Sequence, residues 1–251
     1  MKHLLSLCLI LLIIVPANDA FAETLTERLT QYPAWESKPK VAVASGDLVY
    51  PDWMAGTWQV TNILVDLVAP LAPKIITPGF TANQKYLDVP VEFQVRFKQQ
   101  NLSKPSFFLS LPQTSKLGVI SDRAFNGFQI AKAYLGKNAV LAVKVDPDNP
   151  NRQITKLQGN IQLISTVTGR AQEMPAANQF VASEVTQQLF RRNSQIYLNE
   201  VETTTAYHLL SSATIEANQV TAIYLSPQDP NYFIANGRPV ALYRYHLELN
   251  K

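Results

Sequence analysis

The sequence predicts an all-β chain: a single antiparallel barrel with one or two short helices, with an open β-sandwich as the alternative. Three observations predict it. First, Val89-Pro90-Val91-Glu92-Phe93-Gln94-Val95-Arg96-Phe97-Lys98 alternates strictly. Val89, Val91, Phe93, Val95 and Phe97 fall on one face and Glu92, Gln94, Arg96 and Lys98 on the other, as in an antiparallel strand with one wet face. Second, similar runs follow at short intervals, punctuated by breaker clusters such as Asp146-Pro147-Asp148-Asn149-Pro150-Asn151. Third, a long strand-like run begins at Gly56-Thr57-Trp58. Gly56 permits a tight turn that a side chain would obstruct, and Trp58 is the first large ring of the strand, a plug for one end of a core.

The 251 residues suit one such domain, since all-β domains routinely reach roughly 200–250 residues. Residues 1–22 read as a secretory signal that is removed. Lys2 and His3 form a basic start, residues 4–15 are apolar, Pro16 breaks the run, and Ala20-Phe21-Ala22 is an A-x-A cleavage site. The apolar run is shorter than the roughly 20 residues of a spanning helix, and no later stretch reaches that length. The single cysteine, Cys8, lies in this segment. The exported chain is therefore expected to carry no disulfide, thiolate nucleophile or thiolate metal ligand. The net charge is +3, and the densest cationic pair is Arg191-Arg192. A nucleic-acid surface requires clustering of cations, so that partner is excluded.

Residues 23–45 read as a lead-in and 46–251 as the barrel domain. Thr24-Leu25-Thr26-Glu27 fits a capping box and Leu25 and Leu29 share a face. A short helix is expected there, then an extended stretch through Pro33 and Pro39, docked on the barrel or loose. In residues 57–68, Trp58, Val60, Leu64 and Val68 share one face and Ile63, Val65 and Leu67 the other. Strands are expected at 139–145 and 159–168, on either side of the 146–151 turn cluster. Residues 181–190 fit helix and strand alike, and the surrounding β runs decide for strand. Residues 197–209 carry Thr203-Thr204-Thr205 and two tyrosines, good strand material. Residues 214–215 and 220–225 flank an expected turn at Ala217-Asn218. The last strand, 239–249, alternates Ala241, Tyr243, Tyr245, Leu247 and Leu249 with Leu242, Arg244, His246 and Glu248.

One helix is expected inside this β chain. Ser121-Asp122 can cap it and Gly136 can stop it. Ala124, Phe128, Ala131 and Leu135 form an apolar stripe, although Asn126-Gly127 within it disfavours a helix.

The Gly56-Thr57-Trp58 strand start resembles the Gly-x-Trp start of the first barrel strand in lipocalins and their relatives, the calycins. In calycins that tryptophan stacks on an arginine of the last strand. The resemblance implies that Gly56, Trp58 and Arg244 form the barrel base, a guanidinium over an indole being worth roughly 0.5–2 kcal/mol. The second lipocalin motif, Thr-Asp-Tyr, is absent, and Asp229-Pro230-Asn231-Tyr232 matches it poorly. A second resemblance covers more of the chain. Residues 47–60, Ala69-Pro70-Leu71-Ala72-Pro73-Lys74-Ile75-Ile76-Thr77-Pro78-Gly79-Phe80, Asp122-Arg123-Ala124-Phe125-Asn126-Gly127 and Asn199-Glu200-Val201-Glu202-Thr203-Thr204-Thr205 look like segments of an uncharacterised family from cyanobacteria and chloroplasts. That resemblance implies a photosynthetic source and, with the signal, the thylakoid lumen or periplasm. It carries over no catalytic residue.

The chemistry legible in the sequence is sparse. His208 and His246 lie in separate expected strands, whereas a metal site of the usual kind needs at least three clustered ligands. Neither G-x-S-x-G nor G-x-x-x-x-G-K-[ST] occurs. Glu200 and Glu202 share a strand face and, with Arg96, Arg191 or Lys144 nearby, read as paired surface charges. No catalytic residue, metal or cofactor is assigned.

Two features suit a ligand: the proline-stiffened loop 69–80, and the helix start with Asp122, Arg123, Asn126 and Phe128. In an open barrel they form its mouth. The competing reading of the helix start is an N-cap with a surface salt bridge. The leading expectation is an exported, non-enzymatic barrel that binds a small apolar molecule such as a lipid, quinone or pigment. The alternative is a protein-binding or assembly factor for a photosynthetic membrane complex, with a filled barrel. An enzyme that isomerises an apolar substrate is a third reading.

Overall fold

The computed structural model describes residues 23–102 and 117–251; the expected signal segment lies outside the described residues. The chain runs through α1 (Leu25–Thr30), β1 (Ala42–Val43), β2 (Val49–Tyr50), β3 (Gly56–Val68), α2 (Pro78–Asn83), β4 (Pro90–Asn101), β5 (Leu117–Ser121) and α3 (Arg123–Leu135). It continues through β6 (Val140–Asp146), β7 (Asn149–Leu157), β8 (Ile161–Glu173), β9 (Gln179–Arg192), β10 (Gln195–Ser211), β11 (Thr214–Leu225), α4 (Tyr232–Ala235) and β12 (Ala241–Asn250).

Among the described residues the strands form one 12-stranded sheet in the order β2-β5-β4-β3-β12-β11-β10-β9-β8-β7-β6, with β1 added to β8. The sheet is strongly curled into a half-barrel, so the two stacked sheets of a sandwich are ruled out. From β3 onward nearly every strand pairs with its sequence neighbours, and the first long strand, β3, pairs with the last, β12. The ladder is interrupted between β5 and β6. Helix α3 connects those two strands and lies across the interruption, touching β4, β6 and β7. Gly127 matters there: a Cβ at this position would meet Gln153 Nε2 of β7 at 2.6 Å.

Two expected features are corrected. Strand β7 occupies residues expected as turn and connector. Its concave row is Asn151, Gln153 and Thr155, so it lacks the apolar alternation that marks a strand, and the breaker cluster contracts to a hairpin at Asp146↔Asn149. Strand β11 is continuous through Ala217 and Asn218. Ala217 is fully buried in the core around Trp58, and Asn218 pairs with Ala206 and His246.

The Trp58 plug exists, but its cation is not Arg244. Trp58 is fully buried and its indole N–H donates to the Met54 carbonyl at 2.8 Å. Because β12 runs antiparallel to β3, Leu249 faces Val60 and Asn250 faces Gln59. The residue that reaches Trp58 is therefore Lys251, whose Nζ lies 4.5 Å from the ring centroid. Arg244 faces Asp66 instead, about 25 Å along the strand at roughly 3.3 Å per residue. Its guanidinium lies 5.7 Å from the Tyr32 ring. Gly56, at φ +121, holds the backbone conformation that opens the strand, one that side chains rarely adopt.

The lead-in is docked, on the convex face. Thr24 and Glu27 form the expected capping box. Trp35 packs with Val220, Ala222, Tyr224 and Leu242, the outward row of β11 and β12. At the centre is a buried ion pair. Arg28 Nε donates to Glu202 Oε1 at 2.6 Å and its other nitrogen to Oε2 at 2.8 Å. Both side chains are nearly inaccessible, at 4% and 0% exposure. Tyr224 and Thr204 also donate to the Glu202 carboxylate, Trp35 lies 4.0 Å below the guanidinium, and Trp35 N–H donates to the Arg28 carbonyl. Glu202 is thus a core residue paired with Arg28, and Glu200 pairs with Lys38. This corrects the expected surface pairing with Arg96, Arg191 or Lys144. Burial opposes the Arg28 charge, and Glu202 outweighs it, so the guanidinium is held more firmly protonated.

Removing one member of such a pair strands the other charge in the core. Arg28→Leu is expected to cost about 3–5 kcal/mol, and the double change Arg28→Leu, Glu202→Leu distinctly less. Denaturant melts of the three proteins check this. An Arg28→Leu cost below about 1 kcal/mol, the range of exposed pairs, contradicts a buried anchor.

Candidate functional site

The concave face of β3, β4, β10, β11 and β12 does not close on itself. Alternation directs Val60 and Asn62 of β3, Phe93, Val95 and Phe97 of β4, and Tyr245, Leu247 and Leu249 of β12 to one side. Helix α3 lies over them and contributes Asn126, Ile130 and Tyr134, one face at i, i+4 and i+8. Between them is a cavity of about 330 Å³. Tyr50, Tyr207, Gln219 and Thr221 complete much of its wall, and among the described residues no charged one lines it.

Its hydrogen bonding is uneven. Asn62, 6% exposed, donates to the Tyr134 hydroxyl at 2.7 Å. Its carbonyl oxygen has no hydrogen-bond partner among the described residues. Gln219 accepts from Thr205 at 3.1 Å and donates to Thr221 at 3.4 Å. The tyrosines keep the wall neutral. Burial raises the phenols of Tyr50, Tyr134 and Tyr245, for Tyr134 against a lowering hydrogen bond from Asn62. Burial pushes Tyr207 up to about 12.

The four residues expected at the barrel mouth separate. Asn126 lines the cavity, but its amide is already engaged. It accepts from the Arg96 backbone N–H at 2.7 Å and donates to the Arg96 carbonyl at 3.1 Å and to Ser121 Oγ at 2.9 Å. It thereby clamps α3 to β4. Asp122 makes no side-chain cap; its carboxylate accepts from Arg96 at 2.7 and 2.9 Å. Arg96 also stands 4.2 Å from the Phe125 ring, so Asp122 holds the helix start to the rim.

Arg123 turns to β9, where it and Arg170 both donate to Glu184 Oε1, at 2.8 and 2.6 Å. Burial raises the carboxyl pKa of nearby Asp47, against the lowering effect of the same two arginines. Phe128 is half-buried on α3 and does not line the cavity. The loop 69–80 does not form a mouth with α3. Leu71 and Ile75 are buried against Leu225, Ala235 and Val240, and no loop residue lines this cavity.

Asn62, Tyr134, Gln219 and Tyr245 were not singled out from the sequence. Asn62 had a signal: it interrupts the apolar row Trp58, Val60, Leu64. His208 neighbours Asn178, and His246 lies 3.8 Å from Glu216 and Glu248. Among the described residues no three His, Cys, Asp or Glu side chains gather as metal ligands, and no helix is long and apolar enough to cross a membrane.

Phenols with raised pKa values favour the fold while protonated. That contribution is fully present below the ordinary phenol pKa of about 10. It is lost as pH rises through about 12, the value for Tyr207. Stability should therefore fall between pH 10 and 12, and Tyr207→Phe should flatten part of the fall. Chemical melts across that range check it; identical slopes in the two proteins contradict it.

Residues 42–251 match a family model described as "Domain of unknown function (DUF6816)". No curated protein and no solved structure matches the chain.

Proposed function

The chain belongs to the DUF6816 family over residues 42–251, and we propose that it is a binding protein holding a small, neutral, largely apolar molecule beneath α3. The observation that carries this reading is Asn62, which lines an aromatic-walled cavity of about 330 Å³ and whose buried carbonyl oxygen has no hydrogen-bond partner among the described residues. A buried, unpaired amide oxygen costs about 1–3 kcal/mol, and a ligand hydroxyl or N–H would offset that cost. The volume falls within the usual range for small-molecule pockets, about 300–1,000 Å³. An alcohol, a quinol or a hydroxylated pigment meets these demands, whereas a carboxylate would find no cation among the lining residues.

Export to the thylakoid lumen or periplasm remains part of the proposal. It rests on the apolar run and the Ala20-Phe21-Ala22 site, and an intact chain beginning at Met1 would contradict it.

The competing reading, a protein-binding or assembly factor for a photosynthetic membrane complex, draws on a different surface. Phe233 and Ile234 of α4 are 87% and 59% exposed, and exposed apolar groups of this kind often mark contact sites. That reading expects a filled interior.

A fill-in variant tests the two. Calorimetric titration with 1-decanol, an apolar chain with one hydroxyl donor, should saturate with the wild-type protein. It should fail with Leu247→Trp, whose indole occupies the space. Equal decanol affinity in both proteins would sink the assignment to this cavity.

A further inference from the structure

A second cavity, of about 420 Å³, lies further along the same concave face. It is bounded by Thr77, Pro78 and Gly79 on one side and by side chains of β9 to β12 on the other. Successive inward positions divide the two spaces. Thr221 and Tyr245 face the first; Ile223 and Tyr243, one inward position along their strands, face the second. The cavities share no lining residue. Leu64, Ala241 and Tyr243 pack with Ile223 and Tyr245, a cluster that shares residues with the walls of both.

We infer that this second cavity is a separate binding site for an uncharged, flat, ring-bearing molecule with a hydroxyl or N–H donor. Asn199 carries the inference. It is 7% exposed, lines the cavity, and its carbonyl oxygen has no hydrogen-bond partner among the described residues. Burial raises the neighbouring Tyr197 phenol and Asn199 draws it back down, so the cavity wall stays neutral around this amide. Gln188 stands opposite Asn199 in the β9–β10 register and lines the same space.

The walls select a flat ring. The Phe190 and Tyr197 rings lie 6.1 Å apart at 42°, and Tyr243 forms another wall. Offset or edge-on packing against such faces favours an aromatic or conjugated body. Among the described residues no charged one lines the cavity, so an ion would lose its hydration without compensation. Gly79 leaves room at the rim, since a Cβ there would meet nothing within 4 Å.

The test uses 2-naphthol and its methyl ether, 2-methoxynaphthalene, which share a ring system and differ in the donor. Titrated into the isotope-labelled full-length protein, 2-naphthol should shift the Asn199 side-chain amide. It should also show nuclear Overhauser contacts to the Phe190, Tyr197 and Tyr243 rings. The ether should bind about tenfold more weakly, the worth of one neutral hydrogen bond. In Asn199→Leu that preference should vanish while the shifts around Asn62 persist. Contacts confined to the first cavity would overturn the inference, as would a tenfold preference that survives Asn199→Leu. The wild-type contacts decide the matter even where the variant does not fold.

Discussion

The pairing of β3 with β12 is the constraint on which the rest depends. It joins the first long strand to the last and curls an otherwise sequential meander back on itself. Once Leu249 faces Val60 and Leu247 faces Asn62, the inward rows of β3, β4, β11 and β12 have to share one interior. Trp58 seals one end of it, with Met54 accepting its indole N–H and Lys251 above its ring. The ladder does not continue from β5 to β6, and α3 covers that opening. The helix is held there by Asn126, whose amide bonds to both backbone groups of Arg96 much as a neighbouring strand would. An interior roofed by a helix packs less regularly than one closed by strands, and the cavity lies under that roof.

Charge is sorted between the two faces of this sheet. The convex face buries a full ion pair, Arg28 with Glu202, inside a network that includes Tyr224, Thr204 and Ser183. Such a pair adds little net stability over an apolar core, but it imposes one docking geometry because either charge alone is costly. It fixes the lead-in across β10 and β11, the strands whose opposite faces line both cavities. The concave face carries amides and phenols at the cavities and gathers its charges apart from them, in Arg123, Arg170 and Glu184. A neutral ligand would therefore meet a surface that is already rigid from behind.

Much of the fold was legible because it rests on local periodicity. The alternation in β4 and β12 names their buried faces directly, and the Thr24-to-Glu27 capping box announces α1. Strand β7 was not legible, because its concave row is polar and earns its place through contact with α3 and β8. The error at Arg244 has a plain origin: the resemblance supplied an arginine of the last strand but no register, and register alone decides which cation reaches Trp58. The candidate site was the least legible part. Asp122 and Arg123 look like ligand groups in sequence, yet each is engaged in an ion pair. Asn62 and Asn199 sit within ordinary strand sequence. Only the folded chain shows that both line cavities and that their carbonyl oxygens have no partner among the described residues.

The central claim is that the interior holds a small neutral molecule. Native mass spectrometry of the protein purified from its own source tests it most directly. The account predicts a wild-type mass above that of the chain by one small organic molecule. The excess should be lost on denaturation and absent from Leu247→Trp purified in the same way. Wild-type protein that carries no such excess mass, or that co-purifies with a polypeptide alone, would contradict it.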